Sequence, residues 1–413
     1  METVNKFCAG LDIHKRDVVA CRLYIDHAGR PGKDITTFEA TTGGLLLLKD
    51  WLQAVGIEQV AMESTGDYWK PVYTILEGEF EVLVVNAQHL KAVPGRKTDV
   101  KDAEWIAKLL HHGLLKGSFI PPQIQRDTRE LTRLRSTIMA DRARTVNRLQ
   151  RILEQANLKL ASVVSDITGV SARTMLEAIV SGQTDPKLLA DLAQGRLRDK
   201  LERLEQALQG RIRDIHRFML ADALAQMDYY DERMQRITQQ IEELLRPFDQ
   251  QLSNLDTIPG VGLHIAQIIL AEVGPDMSRF PTANHLAAWA GVAPGNNQSA
   301  GKRLSGTIRH GSPALRRALV QAAHAASKTR GSYLSAQYHR LAARRGRKRA
   351  LMAVAHSILK IAYQLLKQGT TYTDLGADYF DRKSRDGTIR HLTRRLQHLG
   401  FAVTLSDLAQ PAP

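Results

Sequence analysis

The sequence is short of cysteine, of aromatic residues and of acidic charge. Two cysteines, Cys8 and Cys21, in 413 residues exclude a disulfide framework. They form no CxxC pair, and no cysteine and histidine cluster has zinc-ligand spacing. Both sit in apolar, strand-like segments, which predicts buried free thiols in a reducing cytosol. No apolar run approaches the ~20 residues that a membrane helix needs. METVNKF lacks the charged-then-apolar pattern of a secretory leader, so the expected location is the cytoplasm, with no membrane partner. No repeat of fixed period is present, which excludes a solenoid. Aromatics are 6% of the chain, and the abundance of leucine, alanine, arginine and glutamine favours helix over sheet. Acids number 43 against 57 lysines and arginines, leaving a net charge of +14. Such an excess attracts polyanions, with nucleic acid the first candidate.

Residues 1–125 read as an α/β domain with a mixed sheet. FCAGLDI and DVVACRLYI flank a basic turn and predict a hairpin, and ITTFEAT is a third strand. The helical segment GGLLLLKDWLQAVG, the strand QVAMES, the helix GDYWKPVYTILEG, the strand FEVLVVNAQ and the helix TDVKDAEWIAKLLHHG then alternate. From 126 the pattern becomes helical, so the fold class is α/β plus all-α. Residues 126–250 carry two long apolar stripes, Leu131, Leu134, Ile138, Val146, Leu149 and Leu153, then Met227, Tyr230, Met234, Ile237, Ile241 and Leu244. Short helices in 160–211 separate them, and the pattern predicts an antiparallel coiled-coil arm. Residues 251–370 form a further helical domain, and 371–413 a basic tail.

Four acids stand at places where chemistry is done. Asp12 ends the first strand and Glu63 ends a later one. Asp99 and Asp102, three apart, open a helix and share one face. Taken singly each has a plain explanation, such as a turn cap or an acid favoured by a helix N-terminus. Together they would repel one another unless a divalent ion cancels the charge, and Mg2+ prefers carboxylate oxygen. Two such ions about 4 Å apart stabilise the attacking and leaving oxygens of a phosphodiester. Acids that end two apolar strands, followed by D-x-x-D on a helix, are the ribonuclease-H-like nuclease layout.

LDIHK, AMESTGDYW and GRKTDVKDAEWIAKLL resemble the N-terminal domain of the DEDD insertion-sequence transposases, itself similar to a RuvC-like junction resolvase. RFPTANHLAAWAGVAPGNNQSAGKRLSGTIRHGSPALRRAL is similar to the same family's C-terminal domain. The resemblance covers roughly 1–155 and 250–370, and it implies an RNase H-like, RuvC-like fold. It implies that Asp12, Glu63, Asp99 and Asp102 are the metal-binding D, E, D and D, holding Mg2+, two ions per site, or Mn2+ in its place. It further implies a serine that attacks DNA and forms a phosphoserine intermediate. Ser299 in QSAGK matches the family position, with Ser305 as the alternative. Ser312 precedes Pro313 and reads as a helix N-cap. The segment 295–310 reads as a flexible basic loop, its Lys302, Arg303 and Arg309 suited to phosphate. Members now described as bridge-RNA-guided recombinases imply DNA and a non-coding guide RNA as partners. They also imply a homo-oligomer, dimer or tetramer, working in the bacterial cytoplasm and on the nucleoid. The run 340–349 adds Arg344, Arg345, Arg347, Lys348 and Arg349 as a phosphate-tracking contact, and the arginines between 126 and 151 suit a nucleic-acid backbone. The expected activity is DNA transposition and recombination. Two rivals keep parts of this reading: a metal-dependent junction endonuclease without the serine, and a non-enzymatic basic coiled-coil protein that binds nucleic acid.

Overall fold

The computed structural model describes residues 4–64, 66–86, 102–295, 297–299, 302–305, 308 and 311–405, with the backbone alone at 297–299, 302–305 and 388. The chain forms two compact units, Met1–Pro121 and Pro122–Pro413.

The first unit follows the alternation expected of it. Its strands are β1 (Cys8–Ile13), β2 (Asp17–Ile25), β3 (Pro31–Glu39), β4 (Gln59–Glu63) and β5 (Glu81–Val85). Its helices are α1 (Thr42–Gln53), α2 (Trp69–Leu76) and α3 (Asp102–His111). The sheet order is β3-β2-β1-β4-β5. The first three strands are antiparallel, and β4 and β5 add in parallel. This is the mixed sheet of an RNase H-like fold. Side chains alternate between the two faces of a strand, and the two cores show it. Ala9, Leu11 and Ile13 of β1, with Val60 and Met62 of β4, pack under Leu45, Leu48 and Leu52 of α1. Cys8 and Ala61, one residue out of step, pack under Ile106, Leu109 and Leu110 of α3. Cys8 and Cys21 are buried free thiols, and burial pushes them up to about 12 and about 11, so neither is a ready nucleophile.

The second unit contains α4 (Gln123–Gln155), α5 (Val170–Val180), α6 (Pro186–Asp191), α7 (Leu201–Leu208), α8 (Asp214–Leu245), α9 (Asp249–Asp256), α10 (Leu263–Val273) and α11 (Ala283–Trp289). A ribbon of β6 (Asn297–Ser299) and β7 (Lys302–Ser305) follows. The chain then runs through α12 (Pro313–Ala326), α13 (Tyr333–Arg345), α14 (Arg347–Gln368), α15 (Tyr379–Lys383) and α16 (Arg385–His398). The two long helices α4 and α8 are antiparallel. Arg135 meets Thr238, Arg142 meets Asp231, and Arg148 meets Gln226, so position falls along one helix as it rises along the other. Each end of the pair enters its own core. At one end Leu149, Ile152 and Leu153 join Leu220, Leu224, Met227 and the short helices of 160–211. At the other, Ile241 and Leu245 join α10, α12 and α14.

The seam of the pair keeps most of the expected stripe: Ile138, Leu149 and Leu153 are buried, and Leu131 and Val146 pack partly buried against the two cores. Leu134 departs from it, at 41% exposure. The buried face of α4 also takes in Thr128, Thr132, Arg135 and Thr145. Arg142, which interrupts the stripe, forms a two-pronged pair with Asp231, Nε to Oδ1 at 2.6 Å and Nη2 to Oδ2 at 3.0 Å.

Candidate functional site

Strand alternation decides where the N-terminal acids point. Asp12 follows Cys8 and Gly10 on the α3 face of β1, and Glu63 follows Ala61 on the same face of β4. Leu11 of β1 pairs with Met62 of β4, so the two acids leave the sheet at the same level. The helix that brings Asp102 is held unusually close. A methyl group on Gly10 would stand 2.3 Å from both the Ala103 carbonyl oxygen and the Ala107 nitrogen. Only glycine lets α3 lie directly on β1, with Asp102 at its first residue.

Asp12 feels the charges of the other two acids. Asp12 is half-buried, and its pKa is raised, first by burial and then by the charges of Asp102 and Glu63, against the opposing pull of His14. His14 Nε2 lies 3.2 Å from Asp12 Oδ2. The sequence placed His14 only in a basic turn; its position two residues after Asp12 was the available signal. Asp99 lies outside the described residues. Among the described residues, no group of three or more histidine, cysteine or acidic side chains is arranged to hold a metal ion. The donor chemistry nevertheless fits a hard divalent cation, because mutually repelling carboxylate oxygens are what such an ion neutralises.

The serine segment is not the unstructured loop expected of it. Asn297–Ser299 and Lys302–Ser305 form an antiparallel ribbon. Ser299 ends β6 opposite Lys302, with an irregularity between Asn297 and Gln298. Below the ribbon an isolated bridge joins Pro294 to Ile308. Short polar strands carry no apolar alternation, which is why the sequence pattern did not reveal them. The backbone of Lys302 and Arg303 lies in β7, and Arg309 falls outside the described residues. Ser312 is an N-cap as expected, its Oγ accepting from the Leu315 nitrogen at 3.2 Å.

Arg344 and Arg345 end α13, Arg347, Lys348 and Arg349 open α14, and all five are exposed. Cations at a helix N-terminus oppose its dipole, so Arg347–Arg349 weaken α14 while offering charge to an anion. Four of the eight arginines of α4 are engaged within the unit. Arg129, Arg133, Arg135 and Arg142 bind Glu272, Gln267 and Asp231 or nearby carbonyls inside the unit, rather than standing free for nucleic acid. Arg135 is buried, and burial pulls its guanidinium down to about 10.

Two family models match these regions. One, of the DEDD type and described as "Transposase", covers residues 9–158 and so contains Asp12, Glu63, Asp99 and Asp102. The other, described as "Transposase IS116/IS110/IS902 family", covers residues 252–339 and contains the serine ribbon. The chain belongs to this transposase family. As a transposase it is an enzyme that cleaves and recombines DNA. It is 27% identical to an IS110 insertion element protein of Streptomyces coelicolor, over 68% of this chain and 73% of that one. It is 26% identical to the transposase for insertion sequence element IS1111A of Coxiella burnetii, over 76% and 79%. A pilin gene-inverting protein of Moraxella bovis is 23% identical over 89% of this chain and 98% of its own. The transposase has, among the described residues, no helix long and apolar enough to cross a membrane.

Proposed function

We propose that this transposase moves its insertion sequence by Mg2+-dependent cleavage and rejoining through a covalent phosphoserine at Ser299. The observation that supports the reading is the placing of Asp12 and Glu63 at one level of the sheet, on the face where α3 begins with Asp102. A bound pair of divalent ions would be held by these three and Asp99, and would polarise the phosphodiester and lower the cost of an alkoxide. The protein's own part is nucleophilic. The Ser299 hydroxyl gives up its proton, its oxygen bonds to phosphorus, and the bond from phosphorus to one nucleoside oxygen breaks, that oxygen taking a proton. The phosphodiester energy is kept in the serine ester, so a second hydroxyl can reverse the step and join new ends without ATP. Lys302, Arg303 and Arg309 would balance the phosphate charge.

Rejoining is favoured over plain hydrolysis by the relative named for inverting a gene, since inversion needs strands cut and resealed. The family resemblance adds a guide RNA transcribed from the same element and action as a dimer or tetramer. The exposed cations at Arg344–Arg349 would track its backbone or that of DNA. The test incubates the protein with DNA of its element's ends, its RNA and Mg2+, then runs a denaturing gel. The wild type gives a protein–DNA band, Ser299→Ala gives neither band nor cut, and Asp102→Asn gives no cut. Normal cutting by Ser299→Ala would leave the metal-dependent endonuclease in its place.

A further inference from the structure

A buried charge cluster that no motif announces stands beside the chain that follows the Ser299 ribbon. Glu272 of α10 is 2% exposed. Its Oε1 accepts from Arg133 Nε at 2.7 Å, and its Oε2 accepts from Arg133 Nη2 at 2.9 Å. The same Oε2 accepts from Ser312 Oγ at 3.0 Å. Ser312 follows the ribbon in the chain and at the same time caps α12. One hydroxyl therefore donates to a carboxylate on α10 and accepts from the backbone of α12, while Arg133 ties the same carboxylate to α4. Next to it, Gly311 lies against the chain that enters the ribbon. A methyl group there would stand 2.4 Å from the Ala290 carbonyl carbon. Gly311 and Ala290 thus stand side by side, outside the bridge that joins Pro294 to Ile308.

We infer that Arg133, Glu272 and Ser312 are positioning residues which fix the direction of the serine ribbon. A carboxylate buried to this degree is retained only when its oxygens are bonded, and here the bonds join three separate helices. The alternative use of Ser312 as a cap alone leaves the Glu272 contact without a purpose. The effect on catalysis rests on Ser299 being the nucleophile; the effect on the ribbon does not.

Hydrogen exchange on the full-length protein reads the ribbon directly. Glu272→Gln weakens the pairing to Arg133. Ser312→Asp keeps a good cap but sets a second negative charge against Glu272, whereas Ser312→Thr keeps both cap and donor. Peptides spanning 295–308 are expected to exchange at least tenfold faster in Glu272→Gln and Ser312→Asp. They stay at the wild-type rate in Ser312→Thr, and α10 and α12 stay within twofold in all three. The rate of covalent DNA attachment falls alongside in the two loosened variants, with DNA affinity unchanged, and Ser312→Thr retains it. Ribbon exchange that is unchanged, already unprotected in the wild type, or raised equally across α10 and α12 overturns the clamp. A loosened ribbon in a protein that never attaches DNA upholds the clamp and removes the serine reading instead.

Discussion

Asp12 shows at the scale of one residue what the acid site costs the fold. Its carboxyl is held above the ordinary 3.8 by burial and by Asp102 and Glu63. A raised carboxylate is a penalty at neutral pH, where it is ionised in both folded and unfolded chains. The penalty fades as pH falls through the raised value and is gone below the ordinary one. Asp12→Asn should therefore melt higher than the wild type at pH 7 without metal, and the difference should close by about pH 3; differential scanning calorimetry checks it. A lower melting temperature for Asp12→Asn at pH 7 would mean that the His14 contact outweighs the repulsion. Gly10 makes the companion case. Alanine there must push α3 outward, costing about 1–3 kcal/mol of the kind seen on overpacking, and it should abolish strand cleavage by displacing Asp102. Urea unfolding and a nicking assay read the two effects. Asp12 and Glu63 were legible because lone acids ending apolar strands stand out. His14 was not, since a histidine in a turn has no signature until its neighbour is placed.

The long helices teach a lesson about elements. Leucine spacing along α4 predicts an apolar seam, and Ile138, Leu149 and Leu153 keep it, yet Thr128, Thr132, Arg135 and Thr145 share the inward face. Hydrophobic period misses these four because polar groups meet partners of their own: Arg135 donates to Gln267 Oε1 at 2.7 Å and to Thr238 Oγ1 at 3.3 Å. Only the folded partner helices reveal that demand. Two alanine substitutions separate the readings. Ile138→Ala, at a site 2% exposed, should lose about 2–4 kcal/mol. Leu134→Ala, at 41% exposure, should lose less than about 1 kcal/mol. Chemical denaturation that ranks them in the opposite order would place Leu134 in the seam. The ribbon around Ser299 failed for the opposite reason. Its strands are too short and too polar to carry any period.

At the scale of the whole molecule, the +14 charge is spent unevenly. Many arginines of the long helix are consumed by internal carboxylates and carbonyls. The cluster Arg344, Arg345, Arg347, Lys348 and Arg349 stays on the surface, three of its members against a helix dipole. Replacing these five by glutamine should weaken nucleic-acid binding at all sequences alike. The slope of log affinity against log salt should shrink by about 0.9 for each duplex phosphate that the protein no longer neutralises, which titration at several salt concentrations measures. The mixed sheet and helical remainder were readable from composition and alternation, while the division of labour among the basic residues needed coordinates. The proposed nucleophile is the hydroxyl at residue 299, and trypsin isolates its peptide. Cleavage after Arg279 and Lys302 releases peptide 280–302, in which Ser299 is the sole serine, whereas Ser305 falls in peptide 304–309. After reaction with DNA of its element's ends, its RNA and Mg2+, nuclease trimming and mass spectrometry should find a nucleotide phosphate on peptide 280–302. The same mass on peptide 304–309, or strand joining with no modified peptide, would contradict the account.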